Sequence, residues 1–254
     1  MVSCNSTMAQ ADLDLSVIVP AYNEAERIPK TLKRLQEYFT GQSYSYEIIV
    51  VLDGLTDRTR DVLKRLSGEI QHLKIIDRPI NRGKGFTVRE GMLKACGCVR
   101  LFTDADNSTD IDHFELMKPL FDEGYDVVIA SRSSKDAPEA KQAVPQVWYK
   151  RIIGKMANLA VQLIAVRGIW DTQCGFKAFR AEAAERIFSQ TEIAGWGFDI
   201  EVLALARALK FKVGVIPAYW INDDRSHVRG LDYLLVLGET LRVRCNLITG
   251  KYKL

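Results

Sequence analysis

The chain has 254 residues, 47% hydrophobic and 26% charged, which excludes a disordered tail, a collagen and a coiled coil and leaves an ordinary globular protein. Its 35 Lys and Arg against 32 Asp and Glu give a net charge of only +3, too little to signal nucleic-acid binding by charge. The positive charge gathers late: Lys150, Arg151, Lys155 and Arg167 occur with no acid between Trp148 and Arg167, and residues 225–254 hold six bases against two acids.

The first fourteen residues are polar and lack the central apolar run of a secretory leader, so residues 1–14 are expected to be a flexible N-terminus and 15–254 a single domain. From Leu15 the chain alternates short apolar runs with helical periods, the rhythm of a parallel sheet with crossover helices. Strands are expected at Leu15–Ala21, Glu47–Leu52, Leu73–Asp77, Val99–Thr103 and Asp126–Ser131. Between them Ile28, Leu32, Leu35 and Phe39, then Val62 and Leu66, then Val88, Met92 and Cys96, then Phe114, Met117 and Phe121 fall on single helical faces. Residues 133–146, with Pro138 and Pro145, read as a long loop, and loops of that length are uncommon unless functional or disordered. An amphipathic helix over Ile152–Val166, a short strand near Gly175–Phe179, a helix over Phe198–Leu209, a strand over Lys212–Ile221 and a last helix over Leu231–Leu247 complete the prediction: an α/β, doubly wound, mostly parallel sheet with a C-terminal extension of amphipathic helices. No stretch of about 20 apolar residues could span a bilayer. Five cysteines, an odd number without repeated metal spacing, fit a reducing compartment, and scattered His72, His113 and His227 do not complete a zinc site around Cys96 and Cys98.

In such sheets ligands sit outside the carboxyl ends of the strands. The residues there are Pro20-Ala21-Tyr22-Asn23-Glu24, Asp53-Gly54, Asp104-Ala105-Asp106 and Ser131-Arg132. Two carboxylates two residues apart can turn toward one hard divalent cation that also holds a pyrophosphate. A lone Asp-x-Asp is more often a solvated loop or a helix cap, but acids after the first, second and fourth strands together favour a site. Asn81-Arg82-Gly83-Lys84-Gly85 opens the third helix; it is no Walker loop, yet its N–H groups and lysine could meet a phosphate as readily as form a plain turn. Lys150, Arg151 and Lys155 stand near a helix N-terminus, where cations oppose the macrodipole unless an anion is near.

These segments, with Asp171-Thr172-Gln173-Cys174-Gly175-Phe176-Lys177 and Trp196-Gly197-Phe198-Asp199-Ile200-Glu201, resemble family 2 glycosyltransferases of GT-A fold, and within them the dolichyl-phosphate glucosyltransferase and polyprenyl-phosphate glycosyltransferase branch. The resemblance runs from Leu15 to the end of the chain and rests on seven motifs in order. It implies an inverting transfer of a sugar, glucose from UDP-glucose first, to a polyprenyl phosphate, with Mg2+ or Mn2+. It implies donor binding by Pro20, Ala21, Tyr22, Glu24, Asp53, Lys84, Asp104, Ala105 and Asp106, metal on Asp104 and Asp106, and acceptor phosphate on Arg132, Arg151 and Lys177. Asp106 and Asp199 are the candidate catalytic groups, Asp199 standing where many relatives place a base; its bland role is to cap the helix starting near Phe198. Residues 15–131 would then be the nucleotide-sugar half and 132–254 the acceptor and membrane-facing half of an enzyme peripheral to the cytoplasmic face of a membrane, with no nucleic-acid partner. The sequence departs from the family at Leu52-Asp53-Gly54-Leu55 and at Arg225-Ser226-His227, where Asp-Asp-Gly-Ser and Gly-Ser-Lys are common. Rival readings are a cytosolic family 2 enzyme with a soluble or glycan acceptor, and an inactive nucleotide-sugar-binding subunit.

Overall fold

The computed structural model describes residues 13–142, 158–220 and 232–254. β1 (Leu13–Ala21), β2 (Tyr46–Asp53), β3 (Leu73–Arg78), β4 (Gly97–Thr103), β5 (Val127–Ser131), β7 (Phe176–Arg180) and β8 (Val213–Pro217) form one sheet in the order β3-β2-β1-β4-β7-β5-β8. A second, two-stranded parallel pair joins β6 (Lys141–Gln142) to β9 (Tyr219–Trp220). The strand expected over Lys212–Ile221 is thus broken at Ala218, and the long loop expected over 133–146 contains a short strand. β1 starts at Leu13, inside the segment expected to be a flexible terminus.

Helices α1 (Ile28–Thr40), α2 (Thr59–Leu66), α3 (Lys84–Lys94), α4 (Phe114–Asp122), α5 (Ala181–Phe188), α6 (Phe198–Ala208) and α7 (Asp232–Ile248) cover both faces. Period-2 alternation in the strands divides the core. Val17, Val19, Ile48 and Val50 pack with Ile28, Leu32, Phe114 and Phe121 on one face. Ile18, Ile49, Val51 and Phe102 pack with Val88, Ile187, Phe198 and Val243 on the other. The central strands β1 and β2, apolar on both faces, show a parallel-sheet pattern, and full burial of each such side chain is worth roughly 1.5–3 kcal/mol. The sequence pattern misses α5, an eight-residue helix whose Ala183, Ala184, Ile187 and Phe188 are buried.

β7 runs antiparallel between β4 and β5. Thr103 at the carboxyl end of β4 therefore stands beside Phe176 at the start of β7, so the segment entering β7 arrives at the end of the sheet where β1, β2 and β4 release their loops. The expected helix over Ile152–Val166 is helical at residues 158–164, with the rest outside the described residues.

Candidate active site

β2, β1 and β4 are neighbours and parallel, so Asp53, the Tyr22–Glu24 turn and Asp104–Asp106 emerge side by side. Asn23 and Asn107 take φ of 57° and 54° in these turns, a left-handed conformation that asparagine tolerates better than most side chains. The Asn23 side chain ties the first turn to the second, donating to Thr56 Oγ1 at 2.8 Å and accepting from Thr56 N–H at 2.9 Å. Tyr22 remains 41% exposed, a free ring face at the mouth of the site. Pro20 and Ala21 end β1, and the Ala105 carbonyl accepts from Thr31 Oγ1 at 2.6 Å, tying the acidic turn to α1.

Asp104 is held from two sides. Its Oδ1 lies 2.6 Å from Lys84 Nζ, at the first residue of α3. Its Oδ2 lies so close to Gly175 that a Cβ there would come within 1.9 Å; only a glycine lets the backbone entering β7 pass the carboxylate. Asp106 Oδ1 accepts from Ser108 N–H at 2.9 Å. Burial lowers the Lys84 pKa, but Asp104, Asp199 and Asp106 outweigh it and leave the ammonium above its ordinary value. Glu24 is raised, by burial first, against a two-pronged contact with Arg27 at 2.6 Å; Asp106 and Asp104 add to that rise, which places Glu24 within the same field.

Among the described residues no group of three or more His, Cys, Asp or Glu side chains could form a metal site by itself. Asp104 and Asp106 still suit Mg2+ or Mn2+: both offer hard carboxylate oxygens, and such ions fill their remaining positions with phosphate oxygens and water.

Four predicted residues turn out to be engaged within the protein. Asp53 Oδ1 accepts from Arg82 N–H at 2.8 Å and Arg78 Nη2 at 2.9 Å, and its Oδ2 from Gly83 N–H at 2.9 Å, so it anchors the turn that presents Lys84. Arg132 grips Asp171 through Nε at 2.7 Å and Nη2 at 2.8 Å; Asp171 is held below the usual carboxylate range, the opposing charge overcoming its burial. Lys177, expected at the acceptor phosphate, has no exposed surface. β7 turns it into the face covered by α6, where its ammonium meets Cys174 O at 2.6 Å and the Asp199 carboxylate. Asp199, expected as a base, is 3% exposed and raised by burial, with Lys177 and Lys84 pulling the other way. The sequence pattern cannot see this pairing, because a lysine in a five-residue strand looks the same whichever face it takes. Arg151, with Lys150, Lys155 and Arg225–His227, lies outside the described residues.

Sequence reading assigns no role to Trp196 and passes over Glu239. The Trp196 ring lies 5.3 Å from Lys84 Nζ, a cation–π distance. Glu239 reaches the same turn from α7, 42 residues away; a lone acid on an amphipathic helix carries no local signal of such a contact.

A doubly wound, mostly parallel sheet with one antiparallel insertion and loops gathered at its carboxyl end is a fold of GT-A type. The sequence profile described as glycosyl transferase family 2 matches residues 16–188, and the chain belongs to that family and is a glycosyltransferase. It is 36% identical to the dolichyl-phosphate beta-glucosyltransferase of Drosophila melanogaster, over 90% of this chain and 73% of that protein. It is 32% identical to the protein of that name from Homo sapiens, over 94% and 78%. The fold also matches the crystal structure of mannosyl-3-phosphoglycerate synthase from Rubrobacter xylanophilus, with a TM-score of 0.71 over 95% of this chain and 76% of that one, at 14% identity.

Proposed function

We propose that this glycosyltransferase moves glucose from UDP-glucose to a dolichyl or other polyprenyl phosphate with inversion at the anomeric carbon. The observation that carries the acceptor class is the burial of Asp199 on Lys177. A sugar hydroxyl needs a base in reach, and this carboxylate is spent on a buried ammonium. A phosphate monoester arrives already largely ionised near neutral pH, with a second pKa of about 6. The names of the relatives support the same acceptor.

In this reading a phosphate oxygen attacks the anomeric carbon as the bond to the diphosphate breaks, and the nucleoside diphosphate leaves with the electron pair. Tyr22, with Pro20, Ala21, Glu24 and Ala105 around it, borders the nucleoside. Asp53 acts on the donor through the Arg82–Gly83 turn that it holds. Lys84 supplies positive charge to the diphosphate, an electrostatic stabilisation that costs no reorganisation once the side chain is fixed. Asp104 and Asp106 would hold Mg2+ or Mn2+, which when bound neutralises charge developing on the leaving group. Arg132, aimed by Asp171, and Arg151 are assigned to the acceptor phosphate, which matches the planar fork of a guanidinium. Lys177 and Asp199 act as a charge pair beneath the site, Lys177 reaching the acceptor only through that pair.

The test is a matrix of UDP-glucose, GDP-mannose and other nucleotide sugars against short polyprenyl phosphates and soluble glycan acceptors, with Mg2+ or Mn2+. The expected outcome is turnover with UDP-glucose and the lipid phosphate. Turnover only with a soluble acceptor rejects the acceptor, and nucleotide binding without turnover on any pair rejects the enzyme mechanism.

The same reading puts the protein on the cytoplasmic face of a membrane. No helix among the described residues is long and apolar enough to cross one. Leu234, Leu241 and Ile248 recur every seven residues on α7 and are 50–69% exposed, a continuous apolar stripe beside the exposed Arg242 and Arg244. An apolar stripe flanked by bases suits the interface of an anionic bilayer. Lys251 is partly committed to Glu192 at 2.9 Å, so Arg242 and Arg244 should carry more of the attraction. Co-sedimentation with phosphatidylserine vesicles is expected at low salt. It should weaken at high salt and in an Arg242→Gln, Arg244→Gln variant; equal recovery in the supernatant with and without vesicles rejects this surface.

A further inference from the structure

We propose that Glu239 is a positioning residue for the donor end of the site, holding the turn at residues 192–197 against the Gly83–Gly85 turn; the proposal rests on the donor-site reading given above. Glu239 lies on the side of α7 away from the exposed stripe. Its Oε2 accepts from Gly197 N–H at 2.7 Å, and the Gly195 backbone packs against the same carboxylate. The approach is close on both sides: a Cβ on Gly195 would come within 2.3 Å of Oε1, and one on Gly197 within 2.8 Å of Oε2. α6 starts at the next residue and has no side-chain cap of its own. A carboxylate brought in from another helix thus takes the N-cap N–H and faces the positive end of the dipole.

The other half of the turn is held by a second acid. Glu201 accepts from Glu192 N–H and Ile193 N–H, each at 2.9 Å, and from Tyr252 Oη at 2.6 Å. Between these two carboxylates the turn presents two groups to the site. The Ala194 carbonyl accepts from Gly85 N–H at 2.8 Å, fixing the first turn of α3. The Trp196 ring lies beside the Lys84 ammonium, which in turn rests on Asp104. Without the Glu239 carboxylate, the Gly197 N–H loses its acceptor, Gly195 loses the group it packs against, and the segment carrying Ala194 and Trp196 is free to shift. The position of Lys84 relative to Asp104 shifts with it, although Glu239 itself touches neither.

The experiment measures UDP affinity in the presence of Mg2+ by tryptophan fluorescence, for which Trp196 is a local reporter, alongside steady-state kinetics with UDP-glucose. Glu239→Ala should raise the UDP Kd and the donor KM about tenfold, the loss expected for a charged hydrogen-bond acceptor, and leave the acceptor KM unchanged. Glu239→Gln, which keeps one acceptor oxygen in place, should stay within about threefold of wild type on the same scale. Val243→Ala, on the same helix and fully buried, should lower Tm without moving the donor constants. If Glu239→Ala does not fold, Glu239→Asp, which withdraws the carboxylate by one methylene, carries the same test. Wild-type donor constants in Glu239→Ala, or in Glu239→Asp where that variant stands in for it, or an equal change in Val243→Ala, overturn the proposal. A wild-type chain that binds no nucleoside diphosphate overturns the donor-site reading and this proposal with it.

Discussion

Asp104→Ala and Asp106→Ala should each lower turnover by about a thousandfold, and EDTA should do the same to the wild-type chain, since loss of metal stabilisation at a leaving group removes several kcal/mol from the transition state. The fold should survive both changes. Asp104 lies after the last residue of β4, not within the strand, and its side chain is 32% exposed; Asp106 gives up a single contact, to Ser108 N–H. Asp104→Asn is the sharper variant: it retains the shape packed on Gly175 while removing the charge that faces Lys84. Circular dichroism and Tm separate lost chemistry from lost structure. Full turnover in EDTA, or variants within tenfold of wild type, rules out a metal-assisted leaving group on these carboxylates.

Lys177→Met should cost roughly 3–5 kcal/mol of stability, the range measured when one partner of a buried ion pair is removed and the other is left uncompensated. The Lys177 and Asp199 side chains are 0% and 4% exposed, so water cannot take over. A loss of that size is a large fraction of the roughly 5–15 kcal/mol that holds a domain together. Urea unfolding should show a lower midpoint at unchanged slope. In the double variant Lys177→Met, Asp199→Leu, much of the loss should return, because apolar groups of similar volume replace a buried pair at little cost. A midpoint within error of wild type for the single variant removes the buried pair from the stability of the fold. Loss of turnover in the refolded double variant at wild-type stability would show that the pair also serves the chemistry.

Strand and helix positions were legible because they are written in local periodicity. Ile18 faces one side of the sheet and Val17 and Val19 the other wherever β1 is placed, and the helices between the strands repeat their apolar residues every three or four positions. The acids at the ends of the first, second and fourth strands followed from the same reading, since a parallel sheet releases all its carboxyl ends at one side. What escaped was short or borrowed. α5 has only eight residues, and Arg180 before it makes no side-chain cap. β6 has two residues and exists only because it pairs with β9.

The sequence by itself determined the sheet's rhythm, the cluster of acids at one end and the family to which the chain belongs, because each is carried by residues close together along the chain. Tertiary structure alone decided which of those charged residues stay open at the carboxyl end of the sheet and which are spent inside. Asp53 is committed to Arg78 and the Arg82–Gly83 turn, and Lys177 to Asp199 across 22 residues. Glu239 is committed to Gly197 across 42. Buried charges must find partners, and the partner is set by the antiparallel insertion of β7 and the packing of α6 and α7, contacts between residues that no local pattern links.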